Sequence, residues 1–432
     1  MKDRITNILA EMPSVSGWKL KITKSRSSEL FYVSKKLETN RAADTEDFEL
    51  TIYVDKDQER GASTFTVGPF MTDAELREKI EENVYAAGFA MNPWYDLPKP
   101  ENAVIPESSS NIREMPLKEA AELVSDAVFA ADHYDDGYLS ATEIFITKTT
   151  LEILNSRGVD VRSTTYGGMV ELIPSWEKDG EEVEIYHMLR FESIDPADIT
   201  AKVDEQLKLA RARYEAKPLA EVIDMKQPVR ILVQDDEAGE LLDYFGMDLT
   251  YGQKYEKSNK FELGDDVQGE KPTGTRLNIT MVPYIKNAFA SAFFDQDGVI
   301  LRETQLVRDG IAVGRYGSYR YGYYLGEKQP SGILPVMKVE PGTKTFAEMT
   351  KEPYLRCVTF SGIQMEPNSG FFGGEVRLGF YFDGEKEIPV TGFSISGDMN
   401  VSRGTMVYSA ETVTTRFYHG PKDLEIKDMK LA

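Results

Sequence analysis

Among the residues able to do chemistry, the stretch from Asp132 to Glu143 comes nearest to an ion-binding pattern. Asp132, Asp136, Gly137, Ser140 and Glu143 take positions one, five, six, nine and twelve of an EF-hand loop, where calcium needs carboxylate oxygens, a sharp glycine turn and a bidentate glutamate. Position three is Tyr134, which has no carboxylate, and the residues after Glu143 are β-branched where an exit helix belongs. The plain alternative is an acidic turn leading from a helix into a strand. A second cluster is aromatic: Tyr316, Tyr319, Tyr321, Tyr323 and Tyr324 crowd around Arg320. A tyrosine joins a large apolar face to a polar tip, so the cluster is a candidate surface for holding a peptide. Its plain alternative is a β-strand with tyrosines alternating on two faces.

Other chemistries find little material. The three histidines, His133, His187 and His419, lie far apart in sequence, so no H-E-x-x-H helix exists, and each reads as a surface or hydrogen-bonded structural residue. One cysteine, Cys357, gives no zinc-finger spacing and no local Cys/His dyad. Neither G-x-x-x-x-G-K-[ST] nor G-x-S-x-G occurs, which removes support for P-loop and hydrolase-elbow chemistry.

The elements that must position these groups can be read from periodicity. Ile5, Ile8 and Leu9 predict a helix over Asp3 to Met12, and alternation predicts strands at Trp18 to Thr23 and Leu30 to Leu37. Phe48 to Val54 and Ala62 to Val67 read as a hairpin, and Thr72 caps a helix from Asp73 to about Ala87. A Pro- and Ser-rich connection, Met91 to Glu114, leads to a helix at Leu117 to Ala131. Strands follow at Glu143 to Thr149, Val159 to Thr165 and Gly168 to Ile173, and a helix from Asp198 to Ala216 ends before Pro218. Beyond Val229 the texture is of short strands with Asp-Gly turns at Asp297, Asp309 and Asp383. Two interruptions are a helix over Asp236 to Met247 behind an Asp N-cap, and a polar, Gly-rich loop over Tyr255 to Thr275. The expected fold is α+β, an N-terminal mixed α/β domain (1–218) followed by a mainly β, barrel-like C-terminal domain (219–432).

Composition bounds the partners. With 432 residues, 41% apolar and 28% charged, the chain is globular and long enough for more than one core. A net charge of −22 repels the phosphate backbone, so direct nucleic-acid binding is not expected. No apolar run spans a membrane, the first residues mix charge where a signal peptide is apolar, and a lone cysteine suits a reducing compartment. These features make the cytoplasm the expected location and a membrane partner unexpected.

Several blocks resemble the TldD/PmbA family, whose catalytic members are zinc peptidases and which was earlier described as a set of modulators of DNA gyrase. Glu59-Arg60-Gly61-Ala62-Ser63-Thr64 before the Asp73 helix resembles its first-domain hairpin, and Asn155-Ser156-Arg157-Gly158 resembles its N-S-x-G turn. Phe294 to Val299, Leu306 to Gly310, Met365 to Gly374, Gly384 to Val390, Phe393 to Gly397 and Gly420 to Leu424 resemble its C-terminal blocks in order. Catalytic members carry H-E-x-x-x-H on a helix of the second domain, where this chain reads Asp243-Tyr244-Phe245-Gly246-Met247-Asp248. The family's further cysteine ligand would fall near Thr412 to Arg416, where none exists. Asp243 and Asp248, five residues apart, point about 140° away from each other on an ideal helix, so no metal is expected there.

The pattern is similar to the PmbA (TldE) branch, which lacks the motif and pairs with a zinc-bearing TldD subunit. The resemblance implies a chain with no cofactor and no catalytic residue of its own, inactive without that partner, which contributes to a heteromeric peptidase acting on unfolded peptides. A homodimer is the other assembly open to it. The alternative is a stand-alone peptide- or protein-binding module using Tyr316 to Tyr324, calcium-responsive through Asp132 to Glu143 or modulating gyrase through protein contacts.

Overall fold

A computed structural model describes residues 1–432. The first element, α1 (Lys2–Ala10), buries Ile5, Ile8 and Leu9, the three residues whose spacing predicted it. Three strands follow, β1 (Gly17–Val33), β2 (Lys36–Lys56) and β3 (Glu59–Val67), then α2 (Asp73–Ala87) and β4 (Met91–Pro93). Thr72 accepts from the Glu75 N–H while Glu75 reaches back to Thr72, a capping box that starts α2 where the sequence placed it. After the Pro-rich connection come α3 (Leu117–Ala130), β5 (Gly137–Asn155), β6 (Asp160–Lys178), β7 (Glu181–Glu184), β8 (His187–Phe191) and α4 (Pro196–Glu215). The eight strands form one antiparallel sheet in the order β4-β3-β2-β1-β5-β6-β7, with β8 also on β6.

Two pairs of expected strands run together into long ones, although the expected Leu30 to Leu37 strand turns at Ser34-Lys35 and its Leu37 lies in β2. The ladder of β1 continues through the polar residues Lys24 to Ser28, paired with β2 on one side and β5 on the other. There the strand has mostly partly exposed faces, so the apolar alternation lapses although the backbone pairing does not. In β6 the interruption is Gly167-Gly168. A Cβ at Gly167 would lie 2.9 Å from the Phe289 ring, and one at Gly168 would lie 2.1 Å from the Phe191 ring. Those glycines admit aromatic rings from elsewhere in the chain and do not end the strand.

Two helical faces close this sheet. α1 and α2 cover Leu20, Ile22, Leu50 and Ile52, while α3 and α4 cover Ile144, Ile146, Val170 and Leu172. At Lys217–Pro218 the chain crosses to a second sheet as β9, parallel to Glu387–Thr391, and Leu219 enters a separate core of 35 residues. That sheet has nine strands, with β10 (Ile231–Gln234) between Tyr354–Met365 and Asp423–Ile426. A third sheet has six strands, among them Ile279–Val282, Val336–Val339 and Tyr418–Pro421. The α+β architecture and the β-rich second half follow the expectation. The two C-terminal sheets stay open and do not close into a barrel, because the helix α5 (Asp235–Asp248) lies between them and fills the shared core with Ala238, Leu241, Leu242, Tyr244 and Phe245.

Candidate functional site

The position of α5 follows from its sequence: four buried residues of β10 lead straight into a helix whose buried side is apolar. Its N-cap is Gln234, which makes no side-chain cap, so the expected Asp cap is corrected. Asp235 stands inside the first turn with φ 52, where a carboxylate still meets the positive end of the helix dipole. One stripe stays out of the core: Asp236, Glu240, Asp243 and Met247, spaced as a single helical face. The charge of Asp236 is felt by Arg190 of β8, in the first sheet.

Unusual protonation gathers on this helix. Burial pushes Asp243 up from 3.8 to about 6, with Glu240 adding its charge. Burial likewise raises Glu237 to about 7 and Asp235 to about 6. Cys357, wholly buried and beside Glu237, has its thiol pushed far up and is no nucleophile. Several perturbed carboxylates on one helix make it a site candidate.

The three residues at the zinc-motif positions do not converge. Asp248 turns inward and accepts from the Lys260 and Phe261 N–H groups at 2.7 and 3.0 Å. Tyr244 is buried and donates to Asn400 Oδ1 at 3.0 Å, with the Lys260 ammonium 4.8 Å from its ring centre. Asp243 alone faces the stripe. No group of three or more His, Cys, Asp or Glu side chains in the chain is placed to hold a metal ion. The residues present therefore do not fit a catalytic zinc, which takes about three protein ligands.

The residues of the calcium pattern are dispersed as well. Asp132 is buried at the end of α3, faces Lys35 at 3.6 Å and accepts from Leu139 N–H at 3.4 Å. Asp136 faces Lys178 at 3.5 Å, and Ser140 Oγ donates to the Ile173 carbonyl at 3.2 Å. Glu143 lies within β5 between Phe31 and Glu171, where the β-branched run continues as a strand. Gly137 makes no left-handed turn. It opens β5 because a Cβ there would lie 2.5 Å from the Trp176 ring.

The tyrosine cluster forms the short helix α6 (Tyr319–Tyr324), which corrects the strand alternative: packing with neighbouring rings overrides β propensity. Tyr323 meets Trp94 at 6.1 Å and Tyr324 meets Tyr95 at 5.9 Å, and the Tyr324 hydroxyl donates to the Pro93 carbonyl. Tyr321 donates to Glu256 at 2.8 Å, and Arg320 lies 4.7 Å from the Tyr321 ring centre. Tyr319 lines a small void with Lys19, Tyr53 and Asp297. Most of the cluster is thus spent joining the connection after β4 to the C-terminal half. Tyr316 stands apart, 8% exposed and packed in the C-terminal core.

Sequence reasoning passed over two features. Arg60 grips Asp55 through two hydrogen bonds of 2.7 and 2.8 Å and packs among Tyr53, Trp94 and Tyr95. A groove of about 490 Å³ runs between the β5/β6 face, the 106–109 loop and residues 284–293. Thr149, Thr164, Tyr166, Tyr284 and Phe293 line it, and Tyr284 donates to Glu192 at 2.9 Å across it. The alternating threonines of β5 and β6 were the available signal for a polar groove wall. The stripe on α5 was also legible, as acids at Asp236, Glu240 and Asp243.

Comparison with known proteins now bears on this geometry. Residues 226–431 match the family model described as the PmbA/TldA metallopeptidase C-terminal domain. The whole chain superposes on a protein of Thermotoga maritima described as a modulator of a DNA gyrase, with TM-score 0.79 and 18% identity over 100% of this chain and 99% of that one. TldE from Thermococcus kodakarensis gives 0.78 and 15%, over 100% and 99%. A Bacteroides thetaiotaomicron protein, also described as a modulator of DNA gyrase, gives 0.77 and 13%, over 100% and 97%. At such identities these likenesses establish the shared fold. No curated protein matches the chain by sequence.

Proposed function

Since the chain belongs to the TldD/PmbA family through its residues 226–431, we propose that it is the zinc-less, TldE-like subunit of a heteromeric metallopeptidase acting on unfolded peptides. The observation that carries this reading is the dispersal of Asp243, Tyr244 and Asp248. Two of the three are committed to internal hydrogen bonds, one to Asn400 and the other to the backbone of Lys260 and Phe261. Zinc and its activated water would then come from a TldD-like partner, and this chain would supply part of the surface that holds the peptide. The groove between β5, β6 and residues 284–293 is a suitable size for an extended segment. A cytoplasmic location goes with this reading, whereas a homodimer and gyrase modulation through protein contacts go with the alternative of a stand-alone binding module. The tyrosine cluster lends no support to a stand-alone binding module, because its rings are occupied within the chain.

The test is cleavage of a quenched fluorescent peptide. The chain alone should leave it intact, and mixing with a TldD-like subunit from the same organism should give cleavage that a chelator abolishes. Chelator-sensitive cleavage by the purified chain alone would overturn the proposal.

A further inference from the structure

The groove of about 490 Å³ between the two halves of the chain is walled by aromatic rings. Tyr166 of β6 stands on one side, and Tyr284, Phe289 and Phe293 stand on the other. The last three belong to none of the three main apolar cores. Tyr284 and Phe293 stack with ring centres 5.6 Å apart and planes 17° from parallel. Phe289 is 43% exposed and lies over Gly167, where the Cβ of any other residue would meet its ring at 2.9 Å. Aromatic surface that no core needs, left open in a concave site of this size, marks a place for a ligand.

The charge around these rings has one sign. Two carboxylates, Glu107 and Glu192, line the groove, and no Lys, Arg or His does. Glu107 is answered by Arg113 at 2.6 Å. Glu192 meets no cation: its Oε2 accepts from the Tyr284 hydroxyl at 2.9 Å, which ties the carboxylate to the stacked pair. Tyr166 already has the Lys148 ammonium 5.5 Å from its ring centre, whereas no cation of the chain covers Tyr284, Phe289 or Phe293. A ring face attracts a cation through its quadrupole, and a carboxylate beside it adds the counter-charge. The group that suits both has an apolar stem and a positive head, as lysine and arginine do. An anionic side chain would be repelled by Glu192, and a neutral one would cover the rings but leave that carboxylate unanswered. The threonines of β5 and β6 opposite offer hydroxyls to a peptide backbone. We propose that the groove is a binding site for a basic side chain of an extended peptide, its stem on Tyr284, Phe289 and Phe293 and its head against Glu192. The inference rests on the function proposed above for the peptide nature of the ligand, and adds the residue class that this subunit selects.

Calorimetric titration of the full chain tests this without any partner or zinc, so its failure is distinct from failure of the subunit reading. The probes are acetyl-Ala-Ala-X-Ala-Ala amides in which X is arginine, lysine, norleucine or glutamate; norleucine keeps the lysine stem without its charge. At least one basic peptide should bind at least about tenfold more tightly than the norleucine peptide, and the glutamate peptide should bind most weakly. Glu192→Gln should cut that preference to about threefold or less, and Phe289→Leu, which keeps an apolar side chain but removes the ring, should also lower it. Glu385→Gln, which removes an exposed carboxylate elsewhere, should leave it intact. No binding of either basic peptide at millimolar concentration, equal binding of the norleucine peptide, or a preference that survives both Glu192→Gln and Phe289→Leu in folded protein would overturn the assignment.

Discussion

Replacing Asp243 by Asn should make the protein more stable, and the gain should depend on pH. The carboxyl holds its proton more tightly in the folded chain, about 6 against the ordinary 3.8, because burial and Glu240 both oppose its charge. Such a group costs nothing below its unfolded value. The cost appears as pH rises through the interval between the two values and is complete above the folded one. A rise of that size corresponds to at most about 3 kcal/mol, and partial solvent contact brings the expected figure to about 1–2 kcal/mol. Asparagine keeps the shape and discards the charge. Urea unfolding at pH 8 should therefore show Asp243→Asn ahead by about 1–2 kcal/mol, and at pH 4.5 by roughly a third of that. The m-value should not change, since the surface exposed on unfolding is the same. A variant less stable than the parent at pH 8, or a gain that is the same at both pH values, would refute the reasoning.

Other positions give independent checks. Arg60 is 5% exposed, and Arg60→Ala would leave the Tyr95 carbonyl without its donor and Asp55 with Trp94 Nε1 but no cation, so thermal unfolding should report a loss of about 3 kcal/mol. Asn155→Ala removes an acceptor for the Arg157 and Val159 N–H groups and a donor to the Pro98 carbonyl; denaturant titration should show a loss of about 2–3 kcal/mol. Gly137→Ala would press a methyl group onto Trp176 and should cost about 1–3 kcal/mol, with Trp fluorescence reporting the displaced ring. Millimolar calcium should leave the melting temperature of both the parent and Glu143→Gln unchanged; a calcium-dependent rise lost in Glu143→Gln would restore the ion-binding loop.

Much of the fold was legible where local chemistry and tertiary packing agree. The Thr72 and Glu75 pair marks the start of α2, and the apolar spacing of Ile5, Ile8 and Leu9 marks α1, because each signal is completed within a few residues. The Asp309-Gly310 turn joins Thr304–Arg308 to Ile311–Ala312 for the same reason. Reading failed where distant residues decide. Gly167 and Gly168 look like strand breakers until Phe289 and Phe191 are placed over them, and Gly137 looks like a calcium-loop glycine until Trp176 is. The helix at Tyr319–Tyr324 depends on Tyr95 and Trp94, more than 200 residues earlier in the chain. At the site, the acid spacing on α5 was present in the sequence, but its meaning was not. Whether an acid at a given helical position meets a cation, a backbone N–H or nothing is set by the facing elements, and Asp248 and Asp243 have opposite outcomes on one helix.

The most direct measurement is the zinc content of the untagged chain, purified without chelator, incubated with excess zinc and desalted, by elemental mass spectrometry. The account predicts well below one zinc per chain, because Asp248 and Tyr244 are held by internal hydrogen bonds and Asp243 stands alone. About one tightly held zinc per chain, lost on Asp243→Asn, would contradict it and return catalysis to this subunit.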